Sequence, residues 1–192
     1  MSDSPQLWML VGGNGAGKST FYRLYLQPLG LPFVNADLLA RIAYPDAPEA
    51  HSIEAAQLAE EQRQRLLLLG VSFCFETVYS HPTKIDFVAQ ARALGYQVIM
   101  VFIHLECAAL NQARISQRVE EGGHAVPADK VISGIPRLLR HVRASLPLCD
   151  QFRAFDNSSF EQPFMPVFSL VNARLEVQRN PLPAWAADLL SG

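Results

Sequence analysis

The sequence predicts a three-layer α/β fold in which helices cover both faces of a mainly parallel β-sheet. Short apolar runs alternate along the chain with longer segments of helical character. Strands that are apolar throughout are expected where helices cover both faces of a sheet. The length of 192 residues suits one α/β domain with a single core, so we expect one domain over residues 1–192.

The elements of the first half of the chain each have a local signal. Pro28 and Gly30 close the first helix, whereas the second helix can be capped by Ser52 and ended by Gly70. Two prolines mark a loop over residues 45–50. The predicted elements are strands at residues 7–11, 32–36 and 71–75, and helices at residues 18–27 and 52–69.

The second half of the chain continues the alternation and then changes. Residues 97–105 form the strongest predicted strand, because nearly all of them are apolar and β-branched or aromatic. Strand-like runs at residues 167–170 and 174–178 flank Val171-Asn172-Ala173, which predicts a C-terminal β-hairpin. The other predicted elements are helices at residues 83–93, 107–121 and 128–145, and a strand at residues 152–156.

A glycine-rich segment directly follows the first predicted strand. Residues 12–19 read Gly-Gly-Asn-Gly-Ala-Gly-Lys-Ser, which matches the phosphate-binding pattern G-x-x-x-x-G-K-[ST] between a strand and a helix N-terminus. Glycines let such a loop turn its backbone N–H groups toward phosphate oxygens. Lys18 is expected to reach the β- and γ-phosphates of ATP, and the Ser19 hydroxyl to bind Mg²⁺. The alternative is a glycine-rich turn with a solvated lysine.

This motif predicts the P-loop form of the α/β fold, as found in NTPases and kinases. Lys18 is then also a catalytic residue, because it lies at the phosphoryl group that is transferred. The predicted ATP-binding residues are Gly12, Gly13, Asn14, Gly15, Ala16, Gly17, Lys18, Ser19 and Thr20.

Asp37 follows the second predicted strand, and ligands of such sheets bind at the carboxyl ends of the strands. A carboxylate there can orient an acceptor hydroxyl and take its proton, or hold a water molecule bound to Mg²⁺. The alternative is an N-cap for a helix that begins at Leu38. The two roles are compatible.

The pair Glu76-Thr77 closes the third predicted strand. An acidic residue at the end of an apolar strand is costly unless it has a partner or faces a cleft. We therefore expect Glu76 and Thr77 to contact the substrate or the magnesium shell. A structural salt bridge of Glu76 is the alternative.

Arg114 and Arg118 lie four residues apart on a predicted helix and therefore share a face. The helix ends in a glycine-rich bend at Gly122-Gly123, so we expect a lid over about residues 107–145. Arginines in a lid can neutralise charge on a transferred phosphoryl group. The alternative is a solvated helix face paired with neighbouring glutamates, and spacing alone favours it.

Composition and charge argue against several classes of protein. A net charge of −2 is not that of a nucleic-acid binder that acts through bulk positive charge. No apolar run approaches the roughly 20 residues of a membrane span. Cys74, Cys107 and Cys149 are isolated and odd in number, which predicts free thiols in a reducing compartment. Because the N-terminus has no signal-like stretch either, we expect a cytoplasmic protein without nucleic-acid or membrane partners.

Several short motifs together resemble those of the zeta-toxin family of P-loop kinases. They occur in the family's order and span residues 8 to about 158. The strings N-A-D, E-T, G-G-H-x-V-P and D-N-S are far more specific than the phosphate loop alone. The matching segments are residues 12–21, 33–37 and 75–77, Ser80, Gly95-Tyr96, Arg114, Arg118-Val119, and residues 122–127 and 156–158.

The resemblance implies a kinase that uses ATP and Mg²⁺ to phosphorylate a hydroxyl of a small molecule. The best-known members of the family phosphorylate UDP-N-acetylglucosamine and are toxins held by an antitoxin. A UDP-amino sugar is therefore the first candidate acceptor, and an antitoxin protein is a candidate partner. The resemblance also assigns Asp37 as the base, Glu76 and Thr77 to the substrate side, and Arg118, with Arg114 beside it, to the lid.

The chain departs from the family pattern after the G-G-H-x-V-P string. Relatives usually have an arginine pair there, whereas this chain has Ser133 and Gly134. Either Arg137 or Arg140 replaces them, or the lid is weaker; Val78 also stands where a second threonine is common. These departures leave two further hypotheses, a nucleotide-binding regulatory or interaction protein with little turnover, and an NTPase that transfers phosphate to water.

Overall fold

One mixed sheet organises the computed structural model, which describes residues 4–120 and 127–191 apart from the side chains of Arg118 and Glu120. Its strands are β1 (Gln6–Val11), β2 (Phe33–Val34), β3 (Phe73–Thr77), β4 (Gln97–His104), β5 (Gln151–Asp156), β6 (Met165–Val171) and β7 (Arg174–Val177). Their order is β2-β3-β1-β4-β5-β6-β7. The first five in this order pair in parallel and the last two pair antiparallel, which confirms the mainly parallel sheet.

Helices of very different length connect these strands or, in the case of α7, follow the last of them. They are α1 (Lys18–Phe21), α2 (Ala36–Ala43), α3 (Ser52–Leu68), α4 (Thr83–Ala93), α5 (Ala108–Glu120), α6 (Ala128–Ser145) and α7 (Ala184–Leu190). No helix within residues 4–120 and 127–191 has both the length and the apolar character to cross a membrane.

The side chains of the central strands alternate between two hydrophobic cores, as strand geometry requires. On β4, Val98, Met100 and Phe102 pack in a core that also contains residues of α3, α4, α6 and α7. Val101 and Ile103 face the other side, where they pack with α1, the turns that follow it and the start of α5. Both faces of the sheet are therefore covered, and the predicted three-layer arrangement is confirmed.

The C-terminal hairpin is also confirmed. β6 and β7 pair antiparallel, and Asn172 and Ala173 connect them with φ values of 48° and 61°. Such left-handed conformations at both central residues suit a two-residue hairpin turn, because they match the twist of the flanking strands.

Several predicted boundaries are wrong because pairing, rather than hydrophobicity, sets them. The strand expected at residues 71–75 is displaced by two residues, since β3 pairs with β1 from Leu7–Phe73 to Val11–Thr77. The strand expected at residues 32–36 is reduced to the two residues of β2, because Asn35 already caps α2. The sequence pattern does not predict α7, and it raises α2 only as the helix that Asp37 would cap, since helices of seven and eight residues are too short for a clear period.

The first predicted helix, at residues 18–27, is irregular. Only Lys18–Phe21 form an α-helix, and Tyr22–Leu26 continue it as a π-helical turn. Gln27–Leu29 then form a 3₁₀ turn that ends at Gly30, with a φ of 66°. The predicted stop at Pro28 and Gly30 is thus correct, although the hydrogen-bond pattern before it is not that of one regular helix.

Candidate nucleotide-binding site

The phosphate loop lies where the motif requires it, between the carboxyl end of β1 and the N-terminus of α1. Gly15 and Gly17 have φ values of 76° and 97°, which residues with side chains rarely adopt. A Cβ atom on Gly12 would collide with the carbonyl oxygen of Ile103, and one on Gly17 with the side-chain amide of Asn157. The loop therefore needs these glycines both for its turns and for its close packing against the ends of β4 and β5.

Two buried asparagines hold the backbone of this loop from outside. Asn111, on α5, donates from Nδ2 to the carbonyl oxygen of Asn14 at 2.6 Å. Asn157, after β5, donates from Nδ2 to the carbonyl oxygen of Ala16 at 2.9 Å. Sequence reasoning placed Asn157 in the D-N-S string but missed Asn111, because an asparagine inside an amphipathic helix has no distinctive local signal.

The same loop keeps backbone donors available. In the part of the chain that the structure describes, the N–H groups of Gly15 and Gly17 donate to no protein acceptor. Carbonyl groups bound on one side and free N–H groups on the other are the arrangement that binds phosphate oxygens. The loop therefore fits the phosphate chain of a nucleotide.

Lys18 and Ser19 converge on one carboxylate. Lys18 Nζ donates to the Gly13 carbonyl oxygen at 3.0 Å and lies 3.7 Å from Glu76 Oε1. Ser19 Oγ donates to Glu76 Oε2 at 3.1 Å, and Asn35 Nδ2 donates to the same oxygen at 2.9 Å. The salt bridge considered for Glu76 is present, and it lies in the cleft beside the predicted phosphate and magnesium ligands.

Asp37 lies in the first turn of α2 and is exposed. The N-cap of α2 is Asn35, whose side-chain oxygen accepts the N–H of Leu38 at 3.0 Å. The alternative role of Asp37 as this cap is therefore wrong, because the helix has already begun before it. Asp37 instead lines the same cavity as Lys18 and Glu76.

Thr77 accepts two hydrogen bonds from the backbone of neighbouring segments. Its hydroxyl accepts the N–H of Tyr79 at 3.0 Å, and its carbonyl oxygen accepts the N–H of Gly12 at 3.4 Å. These bonds fix the end of β3 beside the phosphate loop. Substrate contact by Thr77 stays a prediction, and its neighbour Glu76 is the residue of the pair that lines the cavity.

Arg114 extends from α5 to the loop that follows β5. Its Nη2 donates to the carbonyl oxygen of Asn157 at 2.8 Å, and its guanidinium carbon lies 5.1 Å from the centre of the Phe160 ring. Burial lowers the pKa of Arg114, and the nearby charge of Asp156 opposes this change. Arg114 also lines the cavity that contains Lys18 and Glu76, so it does not lie merely on a solvated helix face. The alternative pairing with Glu120 and Glu121 involves side chains outside the described residues.

The other lid residues are only partly described. Arg118 lies on α5, but its side chain is outside the described residues, and so are residues 121–126 with the predicted glycine-rich bend. Of the two arginines considered as replacements, Arg137 lines a second cavity together with Gly13 and Asn14, whereas Arg140 does not.

Most of the described candidate residues line one cavity of about 510 Å³. The phosphate loop forms one wall, Asp37 and Glu76 lie on one side, and Arg114 and Phe160 lie on the other. Its volume is within the usual range for a small-molecule site. Six of the predicted ATP-binding residues line it: Asn14, Gly15, Gly17, Lys18, Ser19 and Thr20.

Comparison with known proteins agrees with this fold and this loop. Residues 7–133, which include the phosphate loop and α5, match the AAA_33 family, described as an AAA domain. The chain belongs to this AAA domain family. An uncharacterized protein from Haemophilus influenzae is 29% identical over 133 residues, which cover 66% of this chain and 94% of the relative.

Three solved structures illustrate the proteins that share this fold. A chain of the AvrRxo1-ORF1:-ORF2 complex with ATP has a TM-score of 0.71 at 18% identity, covering 92% of this chain and 61% of its own length. The PezAT toxin–antitoxin system of Streptococcus pneumoniae gives 0.66 at 18% identity, covering 98% and 78%. A kinase candidate from Chloroflexus aurantiacus gives 0.63 at 18% identity, covering 83% and 92%.

These likenesses show a P-loop kinase-like α/β fold. At such low identity they establish the fold alone, and this chain spans 61% of the AvrRxo1 chain that it matches.

Proposed function

We propose that the protein is an ATP- and Mg²⁺-dependent kinase that transfers the γ-phosphoryl group to a hydroxyl of a small molecule. One observation carries the proposal: Lys18, Ser19, Glu76 and Asp37 come from three different strand ends and line one cavity. A phosphate-binding loop alone would suit any nucleotide-binding protein. A carboxylate beside it that is not used as a helix cap is what a phosphoryl transfer to a hydroxyl needs.

The phosphate loop and its neighbours would hold the nucleotide. The N–H groups of Gly15 and Gly17 and the ammonium group of Lys18 would bind the β- and γ-phosphates. Ser19 Oγ and Glu76 Oε2 are 3.1 Å apart and are oxygen ligands of the kind that Mg²⁺ takes, directly or through water. The ion would supply neutralisation of the charge on the phosphates. Lys18, now 3.7 Å from Glu76, would exchange that carboxylate for phosphate oxygens.

Asp37 would act on the acceptor. As an exposed carboxylate in the first turn of α2, it can approach a ligand at the cavity mouth. It would hold the acceptor hydroxyl in line with the γ-phosphate and take its proton as the new P–O bond forms. Glu76, with Thr77 fixing the strand end behind it, would orient the acceptor next to Asp37.

The arginines of α5 would close the site from the other side. Arg114 already contacts the loop after β5 through Asn157, and Arg118 follows one helical turn later. Charge that spreads over the transferred group is stabilised by such guanidinium groups. Nucleotide sugars, and UDP-amino sugars first among them, are the candidate acceptors because of the zeta-toxin resemblance.

A protein partner is part of the proposal. The structures of similar fold include AvrRxo1-ORF1 in complex with ORF2 and the PezAT toxin–antitoxin system. We propose that an antitoxin-like protein restrains this kinase as well. Co-expression with a neighbouring open reading frame that restores cell growth would support this, and growth unaffected by the kinase alone would contradict it.

The test of the kinase is a transfer assay with γ-labelled ATP and Mg²⁺ against nucleotide sugars, sugars, nucleosides and dinucleotides. Label is expected on the hydroxyl of one acceptor class with the wild-type protein and on none with Lys18→Met. Rapid loss of ATP without an acceptor would instead indicate an NTPase. Tight ATP binding without turnover would indicate a regulatory nucleotide-binding protein.

A further inference from the structure

A second cavity of about 300 Å³ lies on the other side of the phosphate loop. Gly13 and Asn14 of the loop form one wall, and Val78 and Ser80, which follow β3, form another. The N-terminal half of α6 closes it. Asn14 lines both this cavity and the larger one, so a ligand in one can extend toward the other.

The face of α6 at this cavity is cationic. Lys130, Gly134 and Arg137 are spaced at i, i+4 and i+7, which places them on one side of the helix, and all three line the cavity. Among the residues that the structure describes, those lining this cavity include these two cations and no carboxylate. Neither Lys130 nor Arg137 is in an ion pair in the described part of the chain. The cavity therefore has positive charge that nothing described in the protein neutralises.

Gly134 leaves space between the two cations. A glycine inside a helix costs about 1 kcal/mol relative to alanine. Packing does not explain this cost, because a Cβ atom on Gly134 would have nothing within 4 Å. The open space above Gly134 is part of the cavity, and a longer side chain would fill it. We therefore attribute the glycine to the room that a ligand needs.

The wall opposite α6 is held in a strained conformation. Tyr79 has a φ of 53°, which is uncommon for a bulky residue, and its side chain is fully buried. Its hydroxyl lies 2.7 Å from Ser145 Oγ, and its carbonyl oxygen lies 3.0 Å from Nδ1 of His141, both on α6. These bonds attach the segment from Val78 to Ser80 to the same helix that carries the cations. Strain of this kind concentrates at ligand sites.

We propose that this cavity binds an anionic group of the acceptor, a phosphate or a carboxylate, with Lys130 and Arg137 as its counter-charges. The inference rests on the proposed kinase, since it places the acceptor's charged end beside the loop that holds the γ-phosphate. It selects anionic acceptors, such as sugar phosphates and sugar acids, over neutral sugars. It also gives Arg137 a role that differs from that of a lid arginine, namely recognition of the acceptor.

Binding is tested without turnover. The protein is saturated with Mg²⁺ and a non-hydrolysable ATP analogue, and the rise in Tm is then measured against inorganic phosphate and, separately, malonate. Phosphate or malonate is expected to stabilise the wild type, and Lys130→Gln or Arg137→Gln to weaken that binding about tenfold each. Arg140→Gln, an exposed arginine of the same helix outside the cavity, is the matched control and should bind as the wild type does. An equal response in Arg137→Gln and Arg140→Gln would overturn the site.

The substitution Gly134→Leu tests whether the anion needs the open space beside Gly134. The leucine should abolish the anion response and leave binding of the ATP analogue unchanged, because its side chain enters the second cavity alone. Ser133→Leu, next to it on the helix and outside the cavity, should change neither. A full anion response in a folded Gly134→Leu protein would show that the cavity is not the site.

Transfer rates to neutral and anionic acceptors distinguish a failure of the anion site from a failure of the proposed kinase activity. Glucosamine and glucosamine 6-phosphate, and glucose and gluconate, form matched pairs of neutral and anionic acceptors. We expect the anionic member of at least one pair to have a higher kcat/KM, and Arg137→Gln to remove that preference with the KM for ATP unchanged. Transfer that prefers neutral acceptors would refute the anion site while the kinase stands. An Arg137-dependent anion response without transfer to any hydroxyl would refute the kinase while the site stands.

Discussion

At the scale of single residues, Lys18 bonds to the backbone of its own loop and pairs with Glu76. Lys18→Met is expected to abolish phosphoryl transfer and to change the free energy of unfolding by only about 1 kcal/mol. Stability is retained because Glu76 keeps the hydrogen bonds from Ser19 and Asn35. Transfer assays and urea titration of the variant check both statements. Turnover near the wild-type rate in a folded Lys18→Met protein would remove the kinase proposal.

Asp37 gives a second prediction at this scale. Asp37→Asn should lower the rate of transfer by about 10²–10⁴, the usual contribution of a general base, while the KM for ATP stays the same. The helix should remain stable, since Asn35 rather than Asp37 caps α2. Steady-state kinetics with ATP and acceptor varied separately measure the two effects. If the rate of transfer and the affinity for ATP fell by equal factors, Asp37 would act on the nucleotide or its magnesium ion.

At the scale of secondary-structure elements, α5 is tied to the phosphate loop at one end and carries the candidate lid arginines along its length. Asn111 and Arg114 connect it to Asn14 and Asn157, respectively. Movement of α5 would therefore change the support of the loop as well as the position of the arginines. Support of the loop and stabilisation of the transition state should be separable by substitution.

Arg118→Ala is expected to lower kcat strongly and to leave the KM for ATP unchanged, because a lid arginine acts on charge that spreads only in the transition state. Supplied arginines contribute about 10³–10⁵ in well-studied phosphoryl transfers. Arg114→Ala should lower kcat and also weaken ATP binding, since its contact with Asn157 is lost. If kcat and the KM for ATP were unchanged in both variants, this face of α5 would have only a structural role.

Helix α6 provides an element-scale prediction about stability. Gly134→Ala should raise the free energy of unfolding by about 1 kcal/mol, because the helix gains a better helix former and the new Cβ meets nothing. The measurement is chemical denaturation, with Ser133→Ala as the neighbouring comparison. If Gly134→Ala lowered the free energy of unfolding, packing around position 134 would restrict the side chain. Space for a ligand would then not explain the glycine.

At the scale of the whole molecule, His104 connects the sheet edge that carries the phosphate loop to the C-terminal helix. It ends β4 and packs against Trp185 of α7, with ring centres 4.9 Å apart. Burial lowers the pKa of His104 from 6.5 to about 4, against the opposing effect of Asp156. The folded state therefore holds this histidine neutral at pH values where the unfolded chain protonates it.

This difference predicts how stability depends on pH. The stabilisation is complete above pH 6.5 and is lost as the pH falls toward 4, because the unfolded state then binds a proton that the folded state does not. Between pH 7 and 4.5 the contribution of His104 should fall by about 2–3 kcal/mol. Urea unfolding of the wild type and of His104→Gln at both pH values measures it. Equal pH dependence in the two proteins would contradict the prediction.

The fold class and the position of the phosphate loop could both be predicted from the sequence. Both depend on local information: the alternation of apolar runs with helical segments, and a loop whose glycines and lysine are contiguous. Asp37 and Glu76 could also be selected from the sequence, because the carboxyl ends of parallel strands meet at one edge of the sheet. The separate roles of the two carboxylates could not be predicted, since only the hydrogen bond that the Leu38 N–H donates to Asn35 Oδ1 shows that Asp37 is not the cap.

Which distant groups support and extend the site depends on contacts between elements that are far apart in the chain. Asn111 and Asn157 bond to loop residues 97 and 141 positions away, and no local pattern marks either contact. Gly134 and Arg137 likewise line one cavity with Gly13 only because the fold brings α6 beside the phosphate loop. A local sequence pattern reflects the conformational preferences of neighbouring residues. The cavities form where elements that are far apart in the chain pack together, and local preferences do not determine that packing.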